Sequence, residues 1–103
     1  MSMHKQTRAT KIPQKVREAV YERDGGLCVL CHAQGVPNAH FVARSHGGLG
    51  IEQNIVTLCP ACHHRFDNTA ERKEIREILR AYLKSLYPDW NENELTYRKW
   101  GKV

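Results

Sequence analysis

Four cysteines arranged as two C-x-x-C pairs constrain this chain more than any other feature of its sequence. The pairs are Cys28 with Cys31 and Cys59 with Cys62. Such spacing is typical of a zinc site, in which two short turns each supply two thiolates to one tetrahedral ion. The alternative is a set of redox-active dithiols, which do not usually come in such pairs. The sequence therefore predicts a structural zinc whose closed ligand shell leaves no position for water.

The size and charge of the chain agree with a small metal-stabilised domain. A chain of 103 residues suits one domain with a thin hydrophobic core. No apolar run approaches the ~20 residues that span a bilayer, and no signal peptide is recognisable, so we expect no membrane partner and a reducing cytoplasmic location. The formal net charge of +5 favours a polyanionic partner such as nucleic acid, although many small proteins are mildly basic.

Upstream of the cysteines, the sequence predicts an arm followed by a helix. Residues 1–11 are polar and basic without apolar periodicity, so we expect a flexible arm that lies on a phosphate backbone or is simply solvated. Pro13 suits the first position of a helix, which should stop at Asp24-Gly25-Gly26. A single domain is therefore expected over residues 12–103.

Two extended runs and further helices are predicted downstream. Residues 39–43 and 55–58 flank a glycine-rich loop, which indicates a hairpin-like unit. A short helix should begin near Pro60. Apolar residues at helical spacing then predict C-terminal helices over about 69–100, of which the first is long and amphipathic and the last covers about 92–100. The chain thus has the pattern of an α+β domain.

Two segments between and after the cysteine pairs carry polar residues in a distinctive order. Residues 39–48 read A-H-F-V-A-R-S-H-G-G, and residues 54–63 read N-I-V-T-L-C-P-A-C-H. These segments resemble the HNH endonuclease family, whose pattern is roughly D-H-I-x-P-x-S-x-G-G followed by N-L-x-x-L-C-x-x-C-H. With the first cysteine pair included, the resemblance covers about residues 28–68.

The resemblance implies a ββα-metal fold, in which a two-stranded hairpin packs on a helix that holds one catalytic divalent ion. Here that core would carry the four-cysteine zinc site and flanking α-helices. The implied activity is hydrolysis of DNA phosphodiester bonds with Mg²⁺, Mn²⁺ or another divalent ion. Compact standalone HNH domains are also similar to phage and mobile-element proteins, some of which assist terminase-driven DNA packaging. On that resemblance, phage terminase or packaging proteins are candidate partners in a bacterial host cytoplasm, and the oligomeric state stays open.

Three residues of these segments are implied to carry the reaction. On the family pattern, His40 deprotonates the attacking water, Asn54 positions that histidine or touches the metal, and His63 binds the metal. The chemistry is reasonable, because the water needs a base that titrates near neutral pH. A metal ion stabilises the charge that grows on the phosphate and on the leaving oxygen. An asparagine carbonyl can accept the second imidazole N–H and fix the tautomer.

The sequence departs from the family pattern at position 39, where the usual residue ligates the metal. Ala39 cannot do so, so either catalysis is lost or another residue supplies the ligand. Asp67 lies one helical turn after His63 and shares its helix face, and similar colicin-type nucleases place a metal-binding histidine at that offset. We expect His63 and Asp67 to hold the ion, and an aspartate at position 39 to restore a family-like ligand. The alternative for Asp67 is an ordinary helix-end carboxylate or an ion pair with Arg65.

Nearby basic residues are candidates for DNA contacts. Arg44 and Arg65 flank the expected site and can bind phosphate, and His46 lies in the glycine loop. Each of them can also be a solvated surface residue. A rival function comes from another class, namely a non-catalytic, zinc-stabilised module that binds nucleic acid or protein and keeps a degenerate HNH site. Ala39 favours the rival, whereas the intact histidines and asparagine favour the enzyme.

Overall fold

The computed structural model describes residues 5–97, which form an α+β domain with one two-stranded antiparallel sheet. Its elements are, in chain order, α1 (Lys5–Thr10), α2 (Gln14–Arg23), β1 (Val36–His40), β2 (Ile55–Leu58), α3 (Pro60–Asn68) and α4 (Arg72–Leu86). Short 3-10 turns occur at Arg44–His46, Glu52–Asn54 and Glu92–Glu94. None of the helices in this range has the length and apolar character needed to cross a bilayer.

The two strands form the predicted hairpin, with the second strand the more deeply buried. All four residues of β2, the run Ile-Val-Thr-Leu, are buried, which suits the β-branched side chains there. Ala39 pairs with Val56, and His40 pairs with Ile55. The sequence predicted that the first strand ends at residue 43, but the strand ends at His40.

The amphipathic helix α4 covers the main hydrophobic core. Ile75, Leu79 and Leu83 form its buried stripe, at the spacing that the sequence indicated. Two other apolar residues at helical spacing on α4, Ile78 and Leu86, are 53% and 38% exposed, so the buried stripe is narrower than the apolar pattern of the sequence. Burying each of the three inner side chains contributes about 1.5–3 kcal/mol, so the apolar face holds α4 on the domain.

A polar connection between Arg23 and Asp24 joins α2 to the sheet and to α4. The Asp24 side chain is 1% exposed and accepts hydrogen bonds from the Thr57 N–H at 2.9 Å and from the Tyr82 hydroxyl. Arg23 binds Asp24 at 2.8 Å and donates to the Ile55 carbonyl at 2.7 Å. Burial opposes ionisation of Asp24, but the hydrogen bonds from Arg23, Tyr82 and the Thr57 N–H, together with the charge of Arg23, outweigh it and lower the pKa of the carboxyl. The sequence identified Asp24 only as a helix stop.

The N-terminal segment is helical and packed where an irregular arm was expected. Residues 5–10 form α1, and Thr10 and Ile12 are buried. Ile12 joins Val20 and Ile55 in a small second apolar cluster. This burial explains the difference, because the cluster ties the end of the segment to α2 and β2. Residues 1–4 of the expected arm lie outside the described residues.

The C-terminal segment also differs from the prediction. A 3-10 turn over Glu92–Glu94 stands where the last helix was expected to begin, with the Asn91 side chain accepting from the Asn93 N–H at 2.9 Å. The chain then extends, and Thr96 pairs with Gly48 of the glycine loop. This pairing explains why residues 95–97 do not continue as a helix. The remainder of the predicted helix, residues 98–100, lies outside the described range.

Candidate metal centre and active site

The four cysteines converge on one point, although the hairpin separates the two pairs in sequence. The Sγ atoms of Cys28, Cys31, Cys59 and Cys62 all lie within 4.8 Å of one another. The sulfurs of Cys31 and Cys59 are 3.6 Å apart, too far for a disulfide. That separation is close to the ~3.8 Å expected between sulfurs of a tetrahedral zinc–thiolate shell. The cluster could therefore hold a metal ion such as zinc, as the spacing predicted.

Each cysteine pair is shaped by its local backbone. Cys59 caps the N-terminus of α3, where its sulfur accepts from the Cys62 N–H at 3.4 Å and Pro60 occupies the first helical turn. In the other turn, the His32 N–H donates to the Cys28 carbonyl at 2.9 Å. His32 has a positive φ of 67°, which closes this turn tightly. Backbone N–H groups also donate to the Cys28 sulfur, so each pair has one sulfur in an environment that favours the thiolate.

The thiols cannot all ionise without a cation. Although burial opposes ionisation, backbone N–H groups, first that of Cys59, lower the pKa of Cys28 to about 7. Burial and the neighbouring sulfurs raise the pKa of Cys62 to about 12. A divalent ion would remove this repulsion, since the thiolate is the form that binds metal.

A second centre is a polar cleft formed by the end of the hairpin and α3. His40 ends β1, His63 lies in the first half of α3, and both line this cleft. The other lining residues are Ala43, Arg44, Ser45, Asp67 and Arg72. The cleft thus brings together four residues that the sequence analysis identified in separate segments. They are His40, Arg44, His63 and Asp67.

The imidazole of His40 is oriented by the N-terminal segment. Its Nε2 atom lies 2.8 Å from the backbone carbonyl oxygen of Thr10. A carbonyl oxygen only accepts, so Nε2 carries the proton and Nδ1 has the lone pair that a base needs. Burial lowers the pKa of His40 below its usual 6.5, the Thr10 carbonyl opposes that shift, and the charge of Arg44 reinforces it. His40 is therefore a neutral base at neutral pH.

The side chain of Asn54 binds the loop backbone and not the imidazole of His40. Its buried side chain accepts from the Val42 N–H at 2.8 Å and donates to the Leu49 carbonyl at 2.8 Å. The side-chain carbonyl of Asn54 therefore binds the loop backbone and does not accept the imidazole N–H of His40. This bond also explains the early end of β1, because a side chain takes the Val42 N–H. Asn54 shapes the loop that carries Arg44 into the cleft.

His63 and Asp67 meet one turn apart on α3, as predicted. His63 Nε2 lies 3.1 Å from Asp67 Oδ2, and the two side chains are 29% and 49% exposed. Adjacent ligands of an octahedral ion with ~2.1 Å bonds lie about 3.0 Å apart, so the pair could share one ion with little movement. The same distance also suits a simple ion pair. Asp67 is not paired with Arg65, which binds Glu71.

Ala39 packs in the core. It is fully buried in the same cluster as Phe41 and Val56, and it precedes His40 on a strand, where consecutive side chains point to opposite faces. An aspartate at position 39 would carry its charge into apolar surroundings. The burial of Ala39 therefore opposes the expectation that such a substitution restores a metal ligand.

Two basic residues expected to contact DNA lie outside the cleft, and one unexpected arginine lines it. Arg65 binds Glu71 at 2.5 Å and a sulfur of the cysteine cluster at 3.6 Å. His46 is exposed on its 3-10 turn and is not among the residues that line the cleft. Arg72 does line it, and its guanidinium lies 5.6 Å from the centre of the Phe66 ring. No local signal distinguishes Arg72, because the turn between α3 and α4 brings it to the cleft.

Comparison with known proteins leaves the family open. No model of a known protein family matches this chain, and curated protein sequences contain no significant match. The resemblance to HNH endonucleases therefore rests on the motif residues alone. The fold and the two sites define a small α+β domain with a four-cysteine cluster that could bind a metal ion and a separate histidine-lined cleft.

Proposed function

We propose that this protein is a metal-dependent DNA endonuclease of the HNH type, with His40 as the general base. The observation that carries the proposal is the convergence of His40, His63 and Asp67 on one cleft, from the end of β1 and from α3, which carries the second cysteine pair at its N-terminus. Two histidines with different roles are what metal-assisted hydrolysis of a phosphodiester needs, one to take a proton and one to bind metal. The positive charges of Arg44 and Arg72 suit a phosphate substrate.

Each part of the reaction can be assigned to a side chain. Neutral His40 would accept the proton of the attacking water at Nδ1, while the Thr10 carbonyl holds the Nε2–H. His63 and Asp67 would hold Mg²⁺ or Mn²⁺, an ion that stabilises charge on the phosphate and on the leaving 3′ oxygen. Arg44 would bind a non-bridging phosphate oxygen. The cysteine cluster is assigned a zinc ion with a structural role only.

A plasmid-nicking assay with zinc-loaded protein tests this proposal. Wild-type protein should convert supercoiled plasmid to the open circle in Mn²⁺, Mg²⁺ or Ni²⁺, and His40→Ala should be slower by about 10²–10⁴-fold. His64→Ala is the matched control, because His64 is an exposed neighbour of His63 and binds Asn68 at 3.2 Å. A wild-type protein that cuts with none of these ions would refute the proposal.

A non-catalytic nucleic-acid-binding module is the second candidate, and the alanine at position 39 favours it. With no ligand from position 39, a divalent ion would have only two protein ligands in the cleft. Such a module would bind DNA with equal affinity in the wild type and in His40→Ala, and neither protein would nick the plasmid. The same set of variants therefore separates the two functions.

A further inference from the structure

Four arginines away from the His40 cleft are neutralised by carboxylates. Arg76 and Arg80 bind Glu92 at 2.6 Å and 2.9 Å, and Arg65 binds Glu71 at 2.5 Å. Arg23 is neutralised in the same way by its sequence neighbour. These side chains are held in the protein by their own ion pairs, so their charges are poorly placed to attract an outside anion.

The cations near His40 lack such compensation. Within residues 5–97, four cationic side chains line the cleft or the groove described below and have no carboxylate partner. They are Lys11, Arg17, Arg44 and Arg72. The other unpaired cations of this range are exposed and spread over three helices, at Lys5, Arg8, Lys15, Lys73 and Lys84. Uncompensated charge is therefore concentrated beside the candidate base, where it raises the local potential for an anion.

A groove continues the cleft on the N-terminal side of His40. It is lined by Lys11, Ile12, Arg17, Asn38, His40 and Arg44. His40 and Arg44 also line the cleft that contains His63 and Asp67. The two depressions share these two side chains, so the groove and the cleft adjoin at the candidate base.

Asn38 adds an amide that is not fully satisfied within the protein to the lining of this groove. Its Oδ1 atom is buried and has no hydrogen-bond partner among the described residues, which is unfavourable for a polar atom. Asn38 lies at the register irregularity of β1, between Val36 and Ala39, and its side chain lines the groove together with His40. The NH₂ group of the same amide can donate to a phosphate oxygen in the groove.

We propose that Lys11, Arg17 and Asn38 form a phosphate subsite that binds the DNA backbone beside the phosphodiester at His40. A backbone phosphate carries its charge on two oxygens, which ammonium, guanidinium and amide donors can bind. These contacts would raise affinity without sequence preference. The proposal rests on the proposed nuclease function for the identity of the reacting bond, but the binding test below needs no cleavage.

The test measures DNA binding in a His40→Ala background with no divalent ion added. The probe is a short fluorescein-labelled DNA duplex, titrated by anisotropy at several salt concentrations. Lys11→Ala with Arg17→Ala should lower the slope of log affinity against log salt by about 1.8, since each lost phosphate contact removes ~0.9. The same relation predicts affinity lower by roughly 60-fold at about 0.1 M salt. Asn38→Ala should weaken binding several-fold and leave the slope unchanged.

Lys73→Ala with Lys84→Ala is the matched control, because it removes the same charge from exposed positions on α4. Equal losses of slope in the two double variants, at unchanged zinc content and melting temperature, would overturn the subsite. If Lys11→Ala with Arg17→Ala does not fold, Asn38→Ala decides, and wild-type affinity in that variant overturns the proposal. A wild-type protein that does not nick plasmid would refute the proposed nuclease function. It would not affect the test of the phosphate subsite, because that test measures binding without cleavage. In an active enzyme, the subsite variants should raise KM and keep kcat.

Discussion

Gly50 lies so close to Lys11 that a Cβ atom on Gly50 would sit 2.0 Å from the Lys11 carbonyl oxygen. The Gly50 N–H also donates to the Ala9 carbonyl at 3.0 Å. Thr10 lies between these two contacts, and its carbonyl binds the imidazole of His40. A glycine at the end of the loop thus positions the segment that orients the candidate base.

We expect Gly50→Ala to displace the N-terminal segment and expose His40. The pKa of His40 should then rise toward 6.5, because burial is the main cause of its lowered value. In the wild type the basic, neutral form persists below pH 6.5, so the acid limb of the cleavage rate should move to higher pH in the variant. NMR titration of His40 measures the shift independently of activity.

Gly25→Ala is the control for this substitution. A Cβ at Gly25 meets nothing within 4 Å, although its positive φ of 68° makes alanine mildly strained. The His40 titration should therefore stay at the wild-type position in Gly25→Ala. An unchanged titration in folded Gly50→Ala protein would mean that the segment does not control the base.

Asp67→Asn should raise the metal concentration needed for half-maximal cleavage. The carboxylate is placed to share an ion with His63, and loss of a ligand should cost at least the about 10–100-fold typical of changes around a metal site. Asp89→Asn serves as the control, since Asp89 is exposed and lines a different depression. The measurement is the cleavage rate against Mn²⁺ concentration. Identical curves for Asp67→Asn and wild type would exclude Asp67 as a ligand.

Cys59→Ser should lose zinc and unfold at a lower temperature. Elemental analysis of protein purified without added metal should find one zinc per chain in the wild type. Structural zinc contributes binding free energy of about 10–16 kcal/mol to folding in small sites. His32→Gly is the control, because it lies beside Cys31, keeps every sulfur and suits the φ of 67°. A stable, metal-free wild-type protein would show that the cluster does not need an ion.

Asp24→Ala should destabilise the fold strongly, although Asp24 is outside both sites. The substitution leaves Arg23, whose side chain is only 13% exposed, without its carboxylate, and breaking a buried pair typically costs about 3–5 kcal/mol. Glu74→Ala, at an exposed position on α4, should change stability by less than about 0.5 kcal/mol. Urea unfolding of the two variants measures the difference. Equal midpoints would mean that the Arg23–Asp24 connection is not stabilising.

The parts of the site that were predictable from the sequence are those set by local spacing. A C-x-x-C turn brings two sulfurs together by itself, and a helix brings His63 to Asp67 by its period. The hairpin and α3 also followed from apolar patterns and from Pro60. These features depend on neighbours within a few residues, which a single sequence displays.

The contacts that the sequence did not predict join distant segments. The group that orients His40 is a main-chain carbonyl at Thr10, and a backbone atom leaves no residue-type signal. Asn54 was identified as important, but its partners at Val42 and Leu49 depend on how the loop closes. The burial of Ala39 likewise follows from tertiary packing.

The rate of a single turnover of plasmid cleavage by His40→Ala, compared with wild type, tests the central claim most directly. Both proteins should have the same zinc content and melting temperature, and His64→Ala should cleave at the wild-type rate. We predict that His40→Ala is slower by about 10²–10⁴-fold. A zinc-loaded His40→Ala protein that cleaves at the wild-type rate would contradict the assignment of His40 as the general base.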